Sequence, residues 1–279
     1  ESIFSEGTEK LHKFQKRYGG YWRYPKMLDF CYLVNPYFPN KKLIDEMQAS
    51  FQTLLTQYPS GMHINSLIAA KNFGLKEPQI IVGNGAAELI KSLMEGLTGK
   101  IGVLHPSFEE YANRRKAEDL VPFVCQNPDY TYTADELMEF YDKTDIKNLL
   151  IVNPDNPSGN YIPKADVIRL IAWAKQRSIK LVIDESFVDF VDMEENTTLL
   201  EQSLLNSNPH LYVVKSISKS YGVPGLRLGI LASGDAEAIA TMKKDVAIWN
   251  INSFAEFYMQ IYEKYKSAYA EGLKIGRAH

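Results

Sequence analysis

Apolar residues gather in seven short continuous runs: QIIVG (79–83), IGVL (101–104), VPFVC (121–125), NLLIVN (148–153), KLVID (180–184), LYVVK (211–215) and LGILA (228–232). Strands covered on both faces read as unbroken apolar runs, whereas half-exposed strands alternate. Between them lie segments whose apolar residues recur every three or four positions, such as AAELIKSLMEGL (86–97) and KADVIRLIAWAKQRS (164–178). That period belongs to an amphipathic helix. Strands alternating with such helices predict an α/β fold with a mostly parallel seven-stranded sheet wrapped by helices.

The ends follow other patterns. LDFCYLVNPYFPNKK (28–42) is rich in aromatics, Pro and Asn and predicts an extended arm. KLIDEMQASFQTLLTQY (42–58) predicts a helix stopped by Pro59. After residue 235 the chain is helical to near its end, and its last helix has no later segment to pack against. The opening ESIFSEGTEK has neither a Met nor a signal-like apolar core. The closing IGRAH (275–279) resembles a translated sequencing adapter, so the expectation is a fragment with a few foreign residues at its end.

Composition narrows the possibilities. The 279 residues are 45% hydrophobic and 23% charged, and 31 basic against 34 acidic residues leave a net charge of −3. That balance gives no electrostatic reason for nucleic acid or an anionic membrane as partner. No run approaches the length of a membrane span. Cys31 and Cys125 lie far apart and outside any CxxC or Cys/His cluster, and the five histidines are scattered. Two free thiols in a cytoplasmic protein, with no metal site, is the expectation.

In a sheet of this kind, ligands bind in loops at the carboxyl ends of strands. Four such loops carry unusual residues. Asn84, Gly85 and Ala86 join a strand to a helix whose first N–H groups suit a phosphate. NPDNPSG (153–159) forces a tight turn that holds Asn156 rigidly. Asp184 and Glu185 end an apolar strand, where a buried carboxylate needs a partner. In KSISKSYGVPGLRLG (215–229), Lys219 lies among Ser216, Ser218 and Ser220, and Arg227 follows with a fork suited to phosphate. Singly, each also fits a plain turn or solvated loop. Jointly they supply a phosphate cradle, a rigid amide, an acid, an amine and an arginine, the set needed to hold pyridoxal phosphate through a lysine Schiff base.

With those residues in view, the chain resembles the fold-type I, class I/II aminotransferases over about residues 28–265. SISKSYGVPGLRLG (216–229) matches that family's Ser-x-Ser-Lys signature followed by Gly and Arg-x-Gly. LDFCYLVNP, YPSG, GNGAAELI, DESFVDF and WNINSFAEF resemble the branch that holds histidinol-phosphate aminotransferase and threonine-phosphate decarboxylase. The resemblance implies an arm and part of a small domain over 1–45, a three-layer α/β/α large domain over 46–247, and a connecting helix over 248–279 that starts an incomplete small domain. It also implies pyridoxal 5'-phosphate as cofactor. It assigns Lys219 to the Schiff base and proton transfer, Asp184 to the ring nitrogen, and Asn156 and the neighbourhood of Phe187 to the phenolic oxygen. Asn84, Gly85, Ala86, Ser216, Ser218 and Arg227 are assigned to the phosphate, and Phe108 to a ring face. It also implies a homodimer in which Tyr58 reaches the partner's phosphate, and it places Asn35 near a small amino acid or amino phosphate substrate.

Most aminotransferases carry Tyr where this chain has Phe187, and threonine-phosphate decarboxylases tend to carry Phe. The family's substrate-carboxylate arginine lies in the C-terminal small domain, beyond the last residue here. Transamination is the leading expectation, with decarboxylation of a phosphorylated amino acid as the alternative. A nucleotide-binding α/β protein is the weaker rival, because GNGAAE (83–88) ends the required GxGxxG in Glu.

Overall fold

A computed structural model describes residues 19–191 and 196–277. The first eighteen residues of the expected N-terminal segment and the last two of IGRAH lie outside the described residues. The chain forms two compact units, residues 1–33 and 34–279. In the first, a 3-10 turn spans Tyr21–Arg23, the Tyr21 and Tyr32 rings lie 5.4 Å apart, and Arg23 covers Trp22.

The second unit contains the seven strands: β1 (Ile80–Asn84), β2 (Ile101–His105), β3 (Leu120–Val124), β4 (Asn148–Val152), β5 (Lys180–Asp184), β6 (Leu211–Ser216) and β7 (Leu228–Ser233). They form one sheet in the order β1-β7-β6-β5-β4-β2-β3, parallel except for β7, which is antiparallel to both neighbours. Alternate residues feed two cores. Ile80, Val82, Leu149, Ile151, Leu181 and Ile183 face one. Ile81, Leu150, Val152, Val182, Tyr212 and Val214 face the other. Helices Ala86–Gly96 and Ala236–Asp245 pack on the second face, and Lys164–Gln176 on the first. This is the three-layer arrangement expected from unbroken apolar strands.

Several helices differ from expectation. The segment 42–58 is broken at Ser50 into Lys41–Ala49 and Phe51–Thr56, and a further helix, Met62–Phe73, follows Gly61. The last helix, Lys266–Arg277, does have a packing partner. Its Tyr269 ring stacks on Tyr221 at 4.4 Å and meets Phe38 edge-on at 5.4 Å, so an aromatic cluster formed earlier in the chain receives it.

Candidate active site

The antiparallel β7 arranges the site. Asn84 at the end of β1 pairs with Leu228 at the start of β7, and Gly229 pairs with Ser216 at the end of β6. The residues after β1, β4, β5 and β6 therefore meet the residues before β7 along one edge of the sheet.

Asp184 is 4% exposed. Its Oδ1 accepts the Ser186 N–H at 2.9 Å and the Ser186 hydroxyl at 2.5 Å, and its Oδ2 accepts the Tyr111 hydroxyl at 2.8 Å. Burial pushes this carboxyl above the usual range, while Ser186, Tyr111 and the Lys219 charge oppose that rise. Tyr111 stays a neutral donor, since burial and then the Asp184 charge hold its own ionisation well above the usual value. Its ring meets Phe108 edge-on at 6.3 Å, and Phe108 is 42% exposed at the mouth. The Lys219 Nζ lies 5.9 Å from the centre of the Phe187 ring.

Lys215, the only other lysine near this loop in sequence, faces elsewhere. It is 2% exposed, bonded to Asp189 at 2.8 Å and 3.6 Å from Glu185. Burial lowers its pKa, but the two carboxylates more than offset this and hold it above the ordinary value. An ammonium so held is not a free nucleophile. Asp184 and Glu185 are thus not a pair: neighbours on a strand point to opposite faces, and Glu185 turns away to Lys215, Thr198 and the Leu199 N–H.

Around the expected phosphate position, Ser218 is buried and its Oγ has no protein partner. The Ser216 Oγ accepts the Ser218 N–H at 3.2 Å. Gly85 has φ +74°, and a Cβ there would lie 2.4 Å from Arg227 Nη2, so the guanidinium rests on the glycine itself. Arg227 is held by a left-handed backbone, φ 54°. The Gly85 N–H donates to the Arg227 carbonyl at 2.8 Å. It is therefore not on offer to a ligand as expected, whereas the first N–H groups of the helix that begins at Ala86 have no intrahelical partner. The Asn84 N–H goes to Glu88 at 2.7 Å.

Asn156 is half-buried in the turn after β4. That turn is braced by Asp155, which accepts the Ser107 and Ser158 hydroxyls, each at 2.6 Å. Asn35, expected near the substrate, bonds to the lysine loop. It is 3% exposed, its amide donates to the Ser220 carbonyl at 2.9 Å, and its Oδ1 accepts the Tyr37 N–H. With its N–H bonded to the Lys219 carbonyl, it clamps the lysine loop. Tyr58 is 78% exposed beside Trp249 and lines, with Asn84, a cleft of about 670 Å³.

An anion-binding loop with a buried unpartnered hydroxyl, an oriented buried acid and a lysine on one sheet edge fits a group carrying a phosphate, a basic ring nitrogen and an aldehyde. Sequence reasoning missed Tyr111, Ser186, Asp155 and Ser107, all of which act on other side chains.

The chain is 32% identical over 271 residues to the CMP-5'-(3-aminopropyl)phosphonate synthase of Streptomyces rubellomurinus, covering 97% of this chain and 42% of that protein. It is 29% identical over 260 residues to the L-serine phosphate decarboxylase of Sulfurospirillum multivorans, covering 88% of this chain and 65% of that protein. The chain thus spans less than two thirds of either relative. Among solved structures, the histidinol-phosphate aminotransferase from Clostridium acetobutylicum superposes with a TM-score of 0.75 at 25% identity, covering 88% of this chain and 72% of that one. Residues 26–260 match the aminotransferase class I and II family, and the chain belongs to that family, whose fold-type I members use pyridoxal 5'-phosphate.

Proposed function

We propose that this protein decarboxylates a small phosphorylated amino acid, with transamination of a similar substrate as the second reading. The cofactor chemistry rests on one observation: Asp184 is buried, oriented by Tyr111 and Ser186, and close enough to Lys219 to feel its charge. Decarboxylation is supported by the likeness to the L-serine phosphate decarboxylase of S. multivorans, together with Phe187, which the family resemblance ties to threonine-phosphate decarboxylases. Transamination, the leading expectation from sequence, keeps support from the likeness to the histidinol-phosphate aminotransferase.

When bound, pyridoxal phosphate supplies an electron sink for charge developing at the substrate Cα. The protein's part is placement and proton control. Asp184 holds a proton on the ring nitrogen as its ionised partner. Lys219 provides the amine for cofactor attachment and for moving a proton at Cα. Ser216, Ser218, Arg227 and the N–H groups of the helix that begins at Ala86 take the phosphate, with Asn84 and Gly85 shaping the turn. Phe108 covers a ring face and Asn156 takes the phenolic oxygen. The exposed Phe51, Leu55, Tyr58, Ile248 and Trp249 suit a second copy of the chain, and we infer a cytoplasmic homodimer in which Tyr58 reaches across. Among the described residues no helix is long and apolar enough to cross a membrane.

The test supplies the cofactor-loaded protein with phosphoserine, phosphothreonine and histidinol phosphate. Carbon dioxide and keto-acid-dependent amino transfer are assayed separately. Carbon dioxide from a phosphorylated amino acid is expected. Amino transfer without carbon dioxide would replace the first reading by the second.

A further inference from the structure

We propose that Ser186 is a positioning residue that ties the acid of the site to its phosphate-binding loop, because its single hydroxyl donates to Asp184 while accepting the N–H of Ser216. This inference rests on the reading of Asp184 and the Ser216–Lys219 loop as cofactor contacts.

The directions of these bonds are forced. A backbone N–H can only donate and an ionised carboxylate can only accept. The Ser216 N–H reaches the Ser186 Oγ at 2.9 Å, and that Oγ lies 2.5 Å from Asp184 Oδ1. The hydroxyl proton therefore points at Asp184, and an oxygen lone pair points at Ser216. Ser186 is 6% exposed, so water does not compete. The relay continues one step further, since the Ser216 Oγ accepts the Ser218 N–H. Asp184 and Ser186 sit two residues apart at the end of β5, while Ser216 ends the adjacent parallel strand β6.

The relay also selects which oxygen of Asp184 is left for a ligand. Oδ1 receives both the N–H and the hydroxyl of Ser186. Among the described residues Oδ2 receives only Tyr111, and each carboxylate oxygen can accept about two bonds. The remaining acceptor position is on Oδ2. The groups that face the carboxylate are Ser186 from its own strand end, Tyr111 from the segment after β2, and Lys219 from the loop after β6. Glu185, though adjacent in sequence, faces Lys215 on the other side. Burial raises the Asp184 pKa, and the Ser186 hydroxyl is the strongest of the groups opposing it. Removing that hydroxyl raises the pKa further, so the loss must appear on the acid side and shrink as pH rises.

The experiment titrates apo-protein with pyridoxal phosphate from pH 6 to pH 9 and follows the visible absorbance of the bound cofactor, with no turnover required. Ser186→Ala deletes the relay. Ser186→Cys fills the same space with a weak donor, which separates a lost hydrogen bond from lost packing. Melting of each apo-protein checks that it folds. Both variants are expected to bind about tenfold or more weakly at pH 6, with the gap to the natural protein narrowing towards pH 9. A pH profile unchanged in both variants overturns the proposal, as does a uniform loss at every pH or normal binding by Ser186→Cys alone. If the natural protein fails to bind pyridoxal phosphate at any pH, the cofactor reading falls first and this inference with it.

Discussion

Gly229→Ala tests how closely β7 must approach the phosphate-binding helix. Gly229 pairs with Gly83 on one side and Ser216 on the other. A Cβ built there lies 2.3 Å from the Ala86 N and 2.6 Å from both the Ala86 Cα and the Gly85 carbonyl carbon. All three are backbone atoms, so no rotamer change relieves the clash. Ordinary contact distances are about 3.5–4.0 Å, so the strand and the helix start must part by roughly 1 Å. Overpacking of this kind costs about 1–3 kcal/mol of stability, which leaves the fold intact. Binding should fall too, by up to on the order of 100-fold, the scale of loss that a displacement of about 1 Å causes where geometry matters. The assay is a cofactor titration of the apo-protein beside a melting curve. Weak cofactor binding with a fall in Tm of only several degrees is the expected result. Gly225→Ala is the control: its Cβ would meet nothing within 4 Å, so both measurements should match the natural protein. Undiminished affinity in Gly229→Ala would show that the helix start takes no part in holding the phosphate.

Other variants address the amines and the ring contact. Lys219→Ala should lose the visible absorbance of lysine-bound cofactor, and Lys215 cannot replace it while bonded to Asp189; retained absorbance would refute this. Lys215→Met should instead keep that absorbance yet leave the buried Glu185 and the half-buried Asp189 without their cation, lowering stability by about 3–5 kcal/mol in chemical denaturation. An unchanged denaturation midpoint would show the cluster to be solvated. Phe187→Tyr adds a donor beside Lys219 and should lower the pH midpoint of the bound-cofactor spectrum by about one to two units. Coincident curves would place residue 187 away from the phenolic oxygen.

The strands were legible because burial on both faces writes itself as an unbroken apolar run. The direction of β7 was not, since a buried strand reads alike in either sense. The helix Met62–Phe73 escaped notice because its buried set includes Asn65 and Ser66, which blur the apolar stripe. In the site, Lys219, Asp184 and Arg227 stood out through residue type and spacing. The expectation that a buried carboxylate at the end of β5 needs a cationic partner fits Glu185, which lies 3.6 Å from the Lys215 ammonium, while strand alternation turns it away from Asp184. Tyr111, Ser186 and Asp155 carry no such signature, because each has a partner distant in sequence, Asp184, the Ser216 N–H and Ser107 respectively, that only folding brings close. Asn35 is a polar residue whose bonds to the lysine loop's backbone no sequence pattern announced.

The pairing of β1 with β7 also sets a timetable. Asn84 and Gly85 wait for Arg227 and Leu228, partners roughly 140 residues later in the chain, and contacts of such separation form slowly. A chain growing from its N-terminus can close β2, β4 and β5 into a parallel sheet well before the phosphate-binding edge exists. Cofactor capture is then a late event that reports a finished sheet. A ligand that binds only the closed edge draws the population towards it by mass action, so a cofactor held there would favour the finished sheet over its precursors.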